Sequence, residues 1–228
     1  MTEISSSAPR IALLHALEES VLPARAAFAA SWPEAKTFDL LDTSLATDLA
    51  ERGSLDDAMT GRFLTLGRYA SASEGVSGPA RAILFTCSAF GPAIEAVKRD
   101  LAIPVLRPNE SAFAEALALG GRVGLLVTFA PSLPALRREL DEMAGRPVDV
   151  EGVVVEGALA ALKAGDGATH DRLAAEAAAR LSGIDTLILG QFSLARARPA
   201  IEAATGLRVV TTPEAAIRGL KRALAPAP

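Results

Sequence analysis

Apolar residues in this chain gather into short blocks, and the stretches between the blocks are alanine-rich with helical spacing. The blocks Ile11–Leu14, Phe38–Leu41, Ala82–Phe85, Ile103–Leu106, Val123–Val127, Val148–Val155, Thr186–Leu189 and Leu207–Val210 predict strands. Strands alternating with helices in this way point to an α/β protein with parallel sheets and crossover helices. Helix starts are legible at Pro92, Pro131 and Pro213, since a missing N–H costs nothing in a first turn. Asp56-Asp57 suits the start of a helix running toward Tyr69, where acidic side chains meet the positive end of the helix dipole.

The order of elements occurs twice. Ile11-Ala-Leu-Leu-His15, followed by Ser20, matches Val123-Gly-Leu-Leu-Val127, followed by Ser132. Phe38-Asp39-Leu40 matches Val148-Asp149-Val150, and Ala82-Ile-Leu-Phe-Thr-Cys87 matches Thr186-Leu-Ile-Leu-Gly-Gln191. Pro92-Ala-Ile-Glu-Ala96 returns letter for letter as Pro199-Ala-Ile-Glu-Ala203. Matches in one order, each roughly 110 residues apart, mark a duplicated half. Residues 11–109 are expected to form the first half and 110–212 the second, with residues 1–10 a flexible polar leader. A last helix over 213–224 is expected to return to the first half. Ligands of open parallel sheets sit beyond the carboxyl ends of the strands. Two facing halves related by a pseudo-twofold axis would therefore enclose one cleft. Its walls would be the loops Leu14–Ser20 with Val127–Ser132, and Thr86–Gly91 with Gly190–Ala197.

Composition narrows the function classes. Half the residues are apolar (50%) while aromatics are scarce (4%), which favours helices packed closely on a sheet over an all-β sandwich. A net charge of −4 gives no electrostatic reason to expect nucleic acid or an anionic membrane as partner. The apolar runs are too short to span a bilayer, and Met1–Arg10 lacks an apolar signal core. With a single cysteine, which excludes an internal disulfide, this points to a reducing cytoplasm. Two distant histidines and one cysteine give no metal-ligand cluster, and no glycine-rich nucleotide loop occurs. No cofactor is expected.

The sharpest candidate is Thr86-Cys87-Ser88-Ala89-Phe90-Gly91, between a buried strand and a helix start. Free N–H groups there would lower the pKa of the Cys87 thiol and hold an anion nearby. The plainer alternative is a small buried hydrophobe. Pseudo-symmetry puts Gln191 where a second thiol would stand, and an amide hydrogen-bonds without exchanging a proton near neutral pH. Ser193 follows in the same loop. Thr128 offers a hydroxyl at another strand end, for a carboxylate or as a helix cap. His15 ends the first strand and faces either the cleft or the interior, while His170 is expected near the start of a surface helix. Glu18, Glu19 and Asp42 lie in or beside cleft loops, where an acid could assist proton transfer or simply complement a helix start. Arg137, Arg138, Glu139, Asp141 and Glu142 read as a solvated helix face.

On Ile11–His15, Leu40-Leu-Asp-Thr-Ser-Leu45, Thr86-Cys-Ser-Ala89, Val123–Ser132 and Leu189–Ala195, the chain resembles the aspartate/glutamate/hydantoin racemase superfamily from about Arg10 to Leu224. The resemblance implies two pseudo-twofold α/β halves with the active site between them. It implies cofactor-independent chemistry on a small carboxylate or related carbonyl compound, and a homodimer or higher homo-oligomer. In that family two cysteines on opposite sides of the substrate take and return the α-proton; arylmalonate decarboxylases and maleate isomerases share the fold. Cys87 matches the first cysteine and Thr128 the substrate-binding threonine, with Ser88, Gln191, Ser193 and His15 as further binding candidates. The second cysteine is replaced by Gln191, a departure that weighs against two-thiol racemisation. The readings left open are a one-thiol racemase or isomerase, a decarboxylase or other lyase using Cys87, and a non-catalytic carboxylate-binding relative.

Overall fold

The computed structural model describes residues 8–225. The leader expected over 1–10 falls largely on residues 1–7, outside the described ones, and Arg10 already belongs to strand β1 (Arg10–His15). The chain continues through α1 (Val21–Ser31), β2 (Lys36–Leu41), α2 (Ser44–Arg52), α3 (Asp57–Ala72), a two-residue β3 (Glu74–Gly75), β4 (Gly78–Phe85), α4 (Gly91–Asp100) and β5 (Val105–Leu106). It then runs through α5 (Glu110–Leu119), β6 (Val123–Val127), α6 (Ser132–Ala144), β7 (Val150–Val154), α7 (Ala158–Lys163) and α8 (Gly167–Ala178). Last come β8 (Thr186–Leu189), α9 (Arg198–Thr205), β9 (Arg208–Thr211) and α10 (Thr212–Leu224). Asp56 caps α3 by accepting the Met59 N–H at 2.7 Å, and Pro92 and Pro213 occupy first turns. Pro131 instead stands just ahead of α6.

The first sheet is ordered β2-β1-β4-β5, all parallel, with β3 antiparallel beside the start of β4. The second is ordered β7-β6-β8-β9, also parallel. Both sheets thus place their first strand between the second and third parallel strands, so equivalent loops emerge at equivalent edges. Burial follows the two-residue period. Along β1, Ala12 and Leu14 join the core beneath α3 and α4, while Ile11 and Leu13 face a second cluster with α1 and α10. In β6, Val123, Leu125 and Val127 pack with α5 and α6, and Leu126 packs with residues of α8 and α9.

Three features join the sheets. Phe192, from the loop after β8, is fully buried among Ile11, Leu13 and Leu84 of the first sheet. α10 lies against α1, α5 and β4, burying Ala216, Ile217 and Leu220 in that same cluster. Ser88 and Ser132 hydrogen-bond across the seam at 3.1 Å.

Two readings of the sequence are corrected. Glu139 does not lie on a solvated face. It follows Leu136 by three residues and precedes Leu140, so it falls on the buried stripe of α6, only 6% exposed. His170 stands near the start of α8 as expected, but its ring is buried rather than at the surface, bonded through Nδ1 to Asp171 at 2.8 Å. Glu139 Oε1 lies 3.4 Å from Arg107 Nε without a hydrogen bond. Burial pushes its carboxyl up to about 7, helped by Glu110 and Glu95 and opposed by Arg107 and Lys98.

The fold therefore prefers the protonated acid at position 139. Its contribution is complete below the unfolded value near 4.5 and is lost as the pH rises through about 7. Glu139→Gln is expected to gain stability over the wild type progressively across that window, measured as urea-unfolding free energy against pH. A constant difference between the two proteins would contradict this.

Candidate active site

β4 and β8 end in the same way. Cys87 and Gln191 both have extended backbones (φ −112° and −142°), and each leads into a 3-10 turn, Ser88–Phe90 and Phe192–Ala197. Each turn feeds a helix with proline in its first turn, α4 and α9. Gly190 permits a close approach at the second of these sites. A Cβ there would lie 3.1 Å from the Leu126 carbonyl oxygen and 3.0 Å from methyls of Leu125 and Leu136. The backbone of Gly190, just before Gln191, lies tight against β6, its N–H donating to the Leu126 carbonyl at 2.8 Å.

Thr128 fixes the Gln191 amide. Its backbone N–H and its hydroxyl (2.8 Å) both donate to Gln191 Oε1. A backbone N–H can only donate, so the oxygen must face it. This leaves the two hydrogens of Nε2 as the unused capacity of the amide, on a side chain equipped to hold an anion. Thr128 caps no helix and does not line the narrow pocket described below; its polar groups are turned to Gln191.

His15 is also displaced from its expected role as a substrate contact. Its ring is buried, with both nitrogens committed. Nε2 donates to Asp39 Oδ1 at 2.9 Å, and Nδ1 lies 2.8 Å from Thr86 Oγ1 and 3.1 Å from Ser20 Oγ. Burial lowers its pKa, with Asp39 opposing, which keeps the imidazole neutral. Ser20 Oγ donates its proton to the Leu17 carbonyl at 2.7 Å, which leaves the Thr86 hydroxyl, 3.0 Å from Ser20 Oγ, as the donor to Nδ1. One imidazole thus pins the residue before Cys87 and the turn after β1.

A cavity of about 650 Å³ opens in front of Cys87, walled by Leu17, Leu49, Phe90, Phe129 and Leu159 with Glu18, Glu19, Glu51 and Lys163 around it. A narrow pocket of about 20 Å³, room for about one water, leads from it. Cys87, Ser88, Gln191, Ser193 and Glu19 line this pocket, and Leu17 and Leu159 border both spaces. Four of the six predicted site residues thus meet at one pocket, and Thr128 and His15 stand behind it. Leu159 and the pocket-facing position of Glu19 were not singled out by the sequence; Glu19 had only the signal of an acid in a strand-end loop.

The thiol also differs from expectation. Cys87 keeps partial exposure, yet burial pushes its pKa up to about 11, and the Ala89 N–H pulls the other way without prevailing. Desolvation outweighs the helix start, so the resting group is a neutral thiol, a proton donor.

A profile described as Asp/Glu/Hydantoin racemase matches residues 23–220. No curated protein sequence matches significantly. Among solved structures, glutamate racemase isoform RacE1 from Bacillus anthracis superimposes with a TM-score of 0.69 at 16% identity, covering 96% of this chain and 82% of that one. Allantoin racemase from Pseudomonas fluorescens gives 0.68 at 17% identity, over 93% and 89% of the two chains. A sulfate-associated variant of arylmalonate decarboxylase gives 0.66 at 18% identity, over 94% and 93%.

In the folded protein, alkylation of Cys87 by iodoacetamide is expected to rise with pH to a midpoint at about 11. The urea-unfolded chain should titrate at ~8.5. A folded midpoint at or below the unfolded one would contradict the neutral resting thiol.

Proposed function

The chain belongs to the Asp/Glu/hydantoin racemase family, and from that premise we propose that it is a cofactor-independent racemase or isomerase moving a proton at the α-carbon of a small carboxylate, with Cys87 as an acid/base group. The observation that carries this reading is the convergence of Cys87 and Gln191, from equivalent strand ends, on one narrow pocket. A proton beside a carboxylate is weakly acidic, so the developing enediolate needs fixed donors. Gln191 Nε2, the Ser193 hydroxyl and the N–H groups of the turn through Ser88 supply them. Thr128 acts as a positioning residue that keeps the amide hydrogens available. Entry of substrate separates Leu17 from Leu159, because about 20 Å³ holds no carboxylate.

A neutral thiol donates more readily than it accepts, and this favours one second reading. Loss of carbon dioxide from a substrate would generate a carbanion needing only a donor, as the arylmalonate decarboxylase activity of one structural neighbour illustrates. Gas release distinguishes that outcome from inversion.

Aspartate, glutamate, 2-phenylpropionate and 5-methylhydantoin, each incubated with the protein in deuterated water, make a direct trial. At least one is expected to take up deuterium at its α-carbon, and Cys87→Ser should slow that uptake by about 100-fold or more. Uptake undiminished in the variant would remove Cys87 from the chemistry.

A further inference from the structure

We infer that Glu19 is the second proton-carrying group of this pocket, working across from Cys87 where the chain has no second thiol. The inference rests on the proposed reading of the pocket as the place where a carbon acid is held.

Among the residues lining the narrow pocket, Cys87 and Glu19 are the two whose side chains exchange a proton with a carbon acid; the others are apolar, hydroxyl or amide. Glu19 is half-buried and makes no ion pair among the described residues. Its neighbour Glu18 is exposed and lines only the outer spaces. The turn Glu18–Ser20 packs against the segment Phe192–Ala197, and Glu19 and Ser193 line the narrow pocket together. The backbones that carry the two groups share one anchor. Thr86 Oγ1 and Ser20 Oγ lie 3.0 Å apart with His15 Nδ1 beside both, and Cys87 and Glu19 are the residues next to them in the chain.

The step balances without a co-reactant. The Glu19 carboxylate takes the α-proton, and the C–H electron pair passes into the enediolate. The Cys87 thiol then gives its proton to the opposite face of the carbon. A thiolate and a carboxylic acid remain, and solvent exchange returns both to their starting forms. The opposite enantiomer runs the same step backwards from the thiolate and carboxylic-acid forms, which the same solvent exchange supplies.

Bromoacetate is the probe, because its carboxylate seeks the same donors and its carbon is electrophilic. At Cys87 a C–S bond forms, bromide leaves and the thiol proton goes to solvent. At Glu19 a C–O bond forms and bromide leaves. Wild-type protein is expected to be labelled at Cys87 with saturation. Cys87→Ser protein should carry a hydroxylamine-labile ester on Glu19, located by peptide mass spectrometry. Adding Glu18→Gln should leave that ester within about 2-fold, and adding Glu19→Gln should abolish it. For any carbon acid that racemises, Glu19→Gln should slow inversion by about 100-fold, and Glu18→Gln should not. Saturable labelling of Cys87 with no ester on Glu19 overturns the assignment of Glu19 and leaves the reading of the pocket standing. Labelling of Cys87 without saturation overturns that reading itself, and the role of Glu19 falls with it.

Discussion

The buried imidazole of His15 is the interaction on which the rest of the site depends. Asp39 accepts a hydrogen bond from one ring nitrogen, while the hydroxyls of Thr86 and Ser20 surround the other. Asp39 is itself held by Arg25 at 2.7 Å. Three consecutive parallel strands of the first sheet, β2, β1 and β4, are thereby tied together at their carboxyl ends. Removing the ring would strand several inward-facing polar groups, each costly to leave unpaired. The network gives Cys87 and the turn containing Glu19 a common anchor, whose Ser20 and Thr86 line the narrow pocket beside them.

The second half supplies the opposite wall by packing. Phe192 is driven into the core of the first sheet, and that insertion carries its neighbours Gln191 and Ser193 to the seam. α10 closes the same seam from outside, so the wall holding Gln191 cannot move without exposing Ile217 and Leu220. Chemistry and cohesion share one stretch of chain. Electrostatics follows from the same burial, since it keeps the Cys87 thiol and the His15 imidazole neutral.

Much of this was legible in the sequence for a physical reason. Strand blocks, proline helix starts and the repeated order of elements are local or periodic signals, and they place Cys87 and Gln191 at equivalent strand ends. Boundaries shifted where pairing rather than composition decides them, as at β5, which shortens to Val105–Leu106, and at β9, which moves to Arg208–Thr211. What could not be read was which way polar side chains turn. His15 and Thr128 lie at strand ends, yet both serve other protein groups. Glu139 looked solvated because its neighbours are charged, while the spacing from Leu136 to Leu140 already carried the buried stripe. The pKa of Cys87 depends on how much apolar surface surrounds it, and no local motif encodes that quantity.

In the proposed function one small carboxylate sits between Cys87 and Gln191, held by the amide that Thr128 orients. A crystal structure of the protein grown with propionate tests it most directly. The carboxylate is expected within hydrogen-bond distance of Gln191 Nε2 and the Ser193 hydroxyl, its α-carbon facing the Cys87 sulfur, with Leu17 and Leu159 moved apart. Propionate lodged only in the outer cavity, with Gln191 and Cys87 untouched, would contradict it.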